Sequence, residues 1–392
     1  MKILFENTEI AFKIKSDSDL RKAYYLFKLI GSNTLVNVGG FFTNVALKIH
    51  FPIGWAVRPT IYNHFVGGET IEKCIPLVRK MEEHNMKAIL DYSVEGGENE
   101  DVIEATLAET IRTFENAGKD KNIPFGVFKP TAFAPGEILA KCSSDEELTE
   151  EEKKEADKFI DRIDRLSAAA QKNNIPLMID AEDYAYQKFI DEVILKMMKK
   201  YNKEKAVVFN TLQMYRTDRL DFLKDLHQKS IEHNFFIGIK FVRGAYMEKE
   251  RELAQKGGYP DPIHPNKAET DKFYNLALKY SVENIDKISI FNATHNEESS
   301  QYLVDLMEEH NIPKDDFRCY FSQLYGMSDN ISYNLSEAGY NVAKYTPYGP
   351  IKHVVPYLLR RTQENTSVEG QTSRELNLLI KERARRKNLK NK

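Results

Sequence analysis

The sequence predicts an α/β fold, a single (β/α)8 barrel behind an N-terminal helical arm, and three observations carry that prediction. Eight short apolar, β-rich runs recur along the chain, amphipathic helical stretches separate them, and nearly every run ends in a polar residue. At 392 residues and 42% hydrophobic the chain can bury a large core, and its length would also permit two domains. The regular alternation selects one barrel, because strands buried on both faces read as continuous apolar runs.

Residues 1–85 read as the helical arm: "LRKAYYLFKLIG", then a Gly-, Phe- and Pro-containing segment around "NVGGFFTNVALKIHFPIGW", then "GGETIEKCIPLVRKMEEHN". The barrel is expected over 86–370. Its runs are "KAILDYS" at 87–93, "PFGVFKP" at 124–130, "PLMIDAE" at 176–182 and "AVVFNTL" at 206–212, followed by "FIGIKFV" at 236–242, "ISIFNA" at 288–293, "FRCYFSQ" at 317–323 and "NVAKYTP" at 341–347. "NIP" or "HN" often introduces them. Phe159, Ile163, Leu166 and Ala170 predict one apolar helix stripe, and Phe273, Leu276, Ala277 and Tyr280 another. Long connections after the second and fifth runs are loop insertions, and the acidic run from Asp145 to Glu155 reads as a solvated helix start. Residues 371–392 form a basic C-terminal tail. From Arg374 to Lys392 it holds eight basic and two acidic residues, and with Leu376, Leu379 and Ile380 it suits a soluble helix or one that touches an anionic membrane.

A net charge of −3 argues against a nucleic-acid footprint. Cys74, Cys142 and Cys319 are far apart, lack metal-ligand spacing and read as reduced thiols of an intracellular protein. The N-terminus has neither a secretory nor a transit pattern, and the run from Leu35 to Leu47 is too short to span a bilayer, so a cytoplasmic, soluble chain is expected.

In a barrel of this class the active site gathers at the C-terminal ends of the strands. The polar run ends here are Lys129, Asp180, Gln213, Lys240 with Arg243, then Thr294, His295 and Asn296, then Gln323 and Tyr345. Burying Lys129, Asp180 and Lys240 around one mouth with Arg360 and Arg361 would be costly without mutual pairing or a ligand. The arginine pair sits beside several tyrosines in "NVAKYTPYGPIKHVVPYLLRRTQEN", and two guanidinium forks from one helical turn suit a carboxylate or phosphate. In "KFVRGAYMEKER" a strand empties into Arg243, Gly244, Ala245 and Tyr246, where small residues let backbone approach a ligand. No GxGxxG, P-loop, HExxH or CxxC pair occurs.

The segments "IDAEDYAYQ", "TLQMYRTDRL", "KFVRGAYMEKER", "NATHNEE", "FSQLYGMSD" and "KYTPYGPIKHVVPYLLRRTQEN", in that order over roughly residues 87–370, resemble the proline dehydrogenase (proline oxidase) family in its stand-alone FAD-dependent form. The resemblance implies a distorted barrel whose last helix carries Arg360 and Arg361 onto the substrate carboxylate. It implies Lys129 and Asp180 in the substrate pocket, with Tyr246, Leu324, Tyr345 and Tyr357 walling the ring. Non-covalent FAD is expected to meet Ala181, Gln213, Lys240, Arg243, Gly244, Ala245, Thr294, His295 and Asn296, with Lys240 beside flavin N5 where many members have arginine. The catalytic set expected is Asp180, Lys240 and Lys129. The implied reaction oxidises L-proline to Δ1-pyrroline-5-carboxylate by hydride transfer from C5 to N5, with electrons passed to a membrane quinone.

The resemblance also implies that Tyr345 fills space which a smaller residue leaves open for a ring hydroxyl in related hydroxyproline-oxidising enzymes, so proline is the expected substrate rather than hydroxyproline. Implied partners are L-proline, the quinone, the inner face of the cytoplasmic membrane as a peripheral contact, and a pyrroline-5-carboxylate dehydrogenase receiving the product. Two alternatives compete: a Schiff-base aldolase with Lys129 as nucleophile, and a catalytically silent barrel that senses proline or scaffolds a partner.

Overall fold

A computed structural model describes residues 2–31, 54–93, 99–144, 146–351, 353–355, 357–359 and 371–391. The apolar run Leu35–Leu47, Asp145 and the pair Arg360 and Arg361 lie outside these residues. Eight strands alternate with helices and belong to one eight-stranded sheet, the expected α/β barrel class. They are β1 (Lys87–Tyr92), β2 (Gly126–Phe128), β3 (Leu177–Ile179), β4 (Val208–Gln213), β5 (Ile237–Val242), β6 (Ile288–Ala293), β7 (Cys319–Leu324) and β8 (Val342–Tyr348). Each falls on one of the eight sequence runs. The chain forms two compact units: Ile89–Ser322 is one, and Lys2–Ala88 together with Gln323–Lys392 is the other.

A local rule explains the "HN" and "NIP" introducers. Asn85, Asn174, Asn234 and Asn311 all have φ between 47° and 55°. Asparagine tolerates this left-handed conformation better than most residues, so it ends the helix and turns the chain into the next strand. Gly339 (φ 94°) does the same before β8.

In the first unit, β2 to β7 pair in sequence and all pairings are parallel. Val127 lies opposite Met178, Met178 opposite Phe209, Thr211 opposite Lys240, Lys240 opposite Phe291, and Phe291 opposite Tyr320. Register partners point to the same face. That face is the barrel interior, because Phe125, just before β2, meets Phe209, Phe291 and Tyr320 edge-on at 5.6, 5.0 and 5.0 Å, and such contacts between non-neighbouring strands occur only across it. The intervening residues face the surrounding helices: Asn210 Nδ2 donates to Asp191 Oδ1 at 2.9 Å, and Tyr274 OH donates to Asn292 Oδ1 at 2.6 Å. An aromatic floor therefore closes the interior, and residues two positions further along each strand stand above it.

The helix Glu150–Lys172 begins with Thr149 and Glu152 in a reciprocal capping box and buries the expected stripe Phe159, Ile163, Leu166 and Ala170. The second stripe is corrected. In Lys267–Glu283 the buried residues include Thr270, Tyr274, Ala277 and Leu278, whereas Leu276 is 42% exposed. The Tyr274 hydroxyl bonded to Asn292 rotates the helix away from the purely apolar choice.

In the second unit the helix Gln371–Lys390 covers residues of the basic tail. Leu378 and Leu379 are buried against Ala11, Phe12, Leu20, Ala23 and Phe27, while Ile380 is exposed. Arg386 donates to the carbonyls of Lys15 and Phe12 at 2.8 and 2.9 Å and to Asp17 at 3.0 Å. Lys390 pairs with Asp17, and Arg385 with Glu9 and Glu382. Much of the tail's charge is thus spent on the unit's own carboxylates. Among the described residues no helix is long and apolar enough to cross a membrane.

Candidate active site

The first unit places Lys129 and Asp180 just past β2 and β3 and Lys240 in the second half of β5, on the interior face. Lys240 Nζ donates to Asp180 Oδ1 at 2.6 Å, and Lys129 Nζ lies 3.8 Å from Asp180 Oδ2. Lys129 also donates to Asp91 Oδ2 at 3.2 Å, and the Ser93 hydroxyl donates to the same oxygen at 2.6 Å. The row thus reads Ser93, Asp91, Lys129, Asp180, Lys240, two ammonium groups against two carboxylates. This is the mutual pairing that burial requires. Lys129 and Asp180 retain 15% and 13% side-chain exposure while Asp91 has 1%, so the row is open at its centre and closed at one end. The sequence reading groups Lys129 with Asp180 and Lys240 and takes no acid from the first run. The nearer partner is Asp91, which that reading missed, although an acid inside the apolar run "KAILDYS" was the available signal.

Arg243, just past β5, is anchored on all sides. Its Nε donates to Asp271 Oδ1 at 2.7 Å, Nη1 to Thr294 Oγ1 at 2.5 Å and Nη2 to Ser299 Oγ at 2.9 Å, and the guanidinium lies 4.4 Å from the Tyr274 ring centre. Burial pushes the Asp271 carboxyl up, but Lys267 and Arg243 outweigh it and hold the group below its ordinary range. The cation is fixed in place by the protein.

The next residue has its own constraint. Gly244 has φ 121°, and a Cβ there would come within 2.5 Å of the Tyr215 ring. Only glycine lets this turn lie on the tyrosine, and the backbone of Gly244 and Ala245 is left exposed beside the strand end. Tyr246 and His295 are half-buried, and Ala181 follows Asp180 directly. Thr294 and Asn296 are engaged locally: Thr294 Oγ1 accepts from Asn296 N at 3.1 Å, and Asn296 Oδ1 caps the helix Glu297–Glu309 by accepting from Ser299 N at 2.8 Å. Gln213, at the end of β4, is buried on the same face as Thr211. Glu182, unmarked in the sequence reading, accepts from Thr131 N at 2.8 Å and Thr131 Oγ1 at 2.7 Å and so fixes the turn after Lys129.

The second unit holds the expected ring-walling residues Leu324, Tyr345 and Tyr357. Leu324 packs on the apolar cluster that contains Tyr357, Met327, Val354 and Leu358. Tyr325 N donates to Tyr345 O at 2.9 Å, which sets Leu324 beside β8, and Tyr345 is buried. Gln323 accepts from Ser332 Oγ at 2.6 Å, a bond internal to this unit.

The residues fit a flavin by chemistry. An exposed glycine-alanine turn gives backbone donors, Arg243 and Lys240 give fixed cations, and the interior face carries the buried Gln213 and Thr211.

Comparison with known proteins matches the sequence to the family described as "Proline dehydrogenase" over residues 74–374. A "Carbapenem antibiotics biosynthesis protein CarD" of Pectobacterium carotovorum subsp. carotovorum is 36% identical over 322 residues, spanning 82% of this chain and 83% of that protein. "Proline dehydrogenase 1, mitochondrial" of Dictyostelium discoideum is 29% identical over 429 residues, covering 97% and 74%. Among solved structures, proline utilization A (PutA) from Bdellovibrio bacteriovorus, inactivated by N-propargylglycine, has a TM-score of 0.71 at 22% identity. That alignment covers 92% of this chain and 38% of the larger one, a likeness of fold.

Proposed function

This chain belongs to the proline dehydrogenase family, and from that premise we propose that it oxidises L-proline to Δ1-pyrroline-5-carboxylate with non-covalently bound FAD. The observation that carries the proposal is the paired row of Asp91, Lys129, Asp180 and Lys240 on the barrel's interior face, next to the exposed Gly244 turn. Bound FAD supplies the acceptor for the hydride that leaves proline C5. The substrate loses that hydride, the proton of its free-base nitrogen passes to solvent, and a C5=N double bond forms.

The residues divide the remaining work. Arg243 and the Gly244–Ala245 backbone hold the cofactor, together with Ala181, Gln213, Thr294 and His295. Lys240, fixed by Asp180, keeps a positive charge where negative charge develops. Lys129 and Asp180 orient the amine end of the substrate, and Tyr246, Leu324, Tyr345 and Tyr357 exclude water from the ring. Tyr345 biases the pocket toward proline over its hydroxylated analogue by roughly 1–3 kcal/mol. Arg360 and Arg361 take the carboxylate, so Arg361→Met should raise the proline KM at least tenfold, in line with about 1.5–3 kcal/mol for a charge-assisted bond. An unchanged KM would remove the arginine from the site.

The electrons pass to a membrane quinone from a cytoplasmic protein bound peripherally, and the product passes to a pyrroline-5-carboxylate dehydrogenase. The aldolase alternative is disfavoured by geometry: a Schiff-base lysine must be neutral, and Lys129 lies between Asp91 at 3.2 Å and Asp180 at 3.8 Å, both of which favour its ammonium form. The deciding experiment is the visible spectrum of the purified protein before and after anaerobic addition of L-proline. Flavin bands that bleach are expected. A protein that takes up no FAD, or whose flavin ignores proline, overturns the proposal.

A further inference from the structure

Thr211 is 3% exposed, and its Oγ1 has no hydrogen-bond partner among the described residues. A buried hydroxyl left this way has given up its hydration for nothing in return, so its surroundings decide what it awaits. Among the described residues, β2 to β7 carry two other buried side-chain atoms without a partner, Asn210 Oδ1 and Asn292 Nδ2. Both asparagines face the outer helices, where their other amide atoms are bonded to Asp191 and Tyr274. Thr211 faces the opposite way. It shares its face with Phe209, whose ring belongs to the aromatic floor, and it is the register partner of Lys240.

The spacing makes a patch. Neighbouring strands lie about 5 Å apart, and residues two apart on one strand about 7 Å. Thr211, Lys240 and Gln213 therefore present a hydroxyl, an ammonium and an amide to one small area of the interior, directly above an apolar floor. That floor is tight: a Cβ on Gly238 would meet the Phe209 ring at 2.4 Å, so the ring fills the space beneath Thr211 and Lys240. Its partner must come from above, from whatever Lys240 and Gln213 also meet.

We propose that Thr211 contacts the cofactor, its hydroxyl donating to the polar edge of the flavin ring beside Lys240. This rests on the proposed function, and it adds a neutral donor to the single point charge that lysine supplies. A donor aimed at an edge that gains negative charge on reduction stabilises the reduced form more than the oxidised one.

The test compares wild type, Thr211→Val, which keeps the shape and removes the hydroxyl, and Thr211→Ser, which restores it. FAD affinity of the apoprotein and the midpoint potential of the bound flavin are measured, together with proline KM and kcat. Thr211→Val should shift the reduction equilibrium about tenfold toward oxidised flavin, which is about 30 mV for a two-electron couple. Thr211→Ser should stay near wild type. If the valine protein does not fold, Thr211→Ala against Thr211→Ser makes the same comparison. An unchanged potential and FAD affinity in the valine or alanine variant overturn the assignment, as does an effect on proline KM alone, which would turn the hydroxyl toward the substrate. A wild-type protein that takes up no flavin brings down the proposed function itself; one that takes up FAD with a potential indifferent to position 211 brings down only this assignment.

Discussion

The interior row Asp91, Lys129, Asp180 and Lys240 and the core of the second unit at Lys15, Asp329, Lys344 and Glu375 each gather two lysines and two carboxylates. In the row every lysine has its own acid, Lys240 with Asp180 at 2.6 Å and Lys129 with Asp91 at 3.2 Å. In the second unit one carboxylate serves both lysines: Asp329 meets Lys15 and Lys344 at 2.9 Å each, and Lys344 also donates to Met327 O at 2.6 Å. Glu375 accepts from Ser328 N at 2.5 Å instead. The row opens to solvent at strand ends, whereas Lys344 is wholly buried and ties the turn after β7 to β8, with Glu375 bringing in the C-terminal helix. The same residue types therefore stand open to solvent in one place and staple segments in the other, and access distinguishes them.

Asp329→Ala should give the largest effect on stability. Burial pushes this carboxyl up, but Lys15 and Lys344 outweigh it and hold the group well below the usual carboxylate range. Its removal leaves two ammonium groups against each other in the core, at a cost of about 3–5 kcal/mol. Denaturant unfolding checks it, and a loss under about 1 kcal/mol would mean that the two sets do not differ.

Glu375 sharpens the contrast through pH. Burial first, then the charge of Asp329, raise its carboxyl to about 7, against the Ser328 N–H and both lysines. A carboxyl whose folded pKa lies above its unfolded value keeps its proton to higher pH in the native state than in the unfolded chain. Its contribution is therefore complete at low pH and is lost as pH rises through about 7. Glu375→Gln, neutral at every pH, should match wild type near pH 4 and exceed it by about 2–3 kcal/mol at pH 8. Parallel stability curves for the two proteins would refute the assignment of that slope.

How much of this was legible beforehand follows from what each feature depends on. The strands were, because burial on both faces writes them as apolar runs, and the left-handed asparagines mark their starts. Lys129, Asp180 and Lys240 were, because charges at the ends of such runs are costly. Asp91 was hidden within a run, and the second-unit set was harder still: Lys15 meets Asp329 across 314 positions of sequence (329 − 15), and no periodicity reports a contact of that kind. The tyrosine in place of the expected phenylalanine on the helix after β5 was set by one hydrogen bond to Asn292.

The smallest stability effect should come from Asp180→Ala, and it is the variant on which the comparison turns. Lys129 keeps Asp91, so only Lys240 loses its nearest acid, and the half-open mouth lets water compensate in part. A loss of about 1–2 kcal/mol is expected, less than half that of Asp329→Ala, while proline turnover falls at least a hundredfold because Lys240 and the substrate amine both lose their orienting group. Asp180→Asn separates the two contributions, since it keeps an acceptor for Lys240 and removes the charge. If Asp180→Asn restores stability but not turnover, the carboxylate charge serves the reaction. If both variants unfold as readily as Asp329→Ala, the row is a staple like the other, and the site lies elsewhere on the barrel.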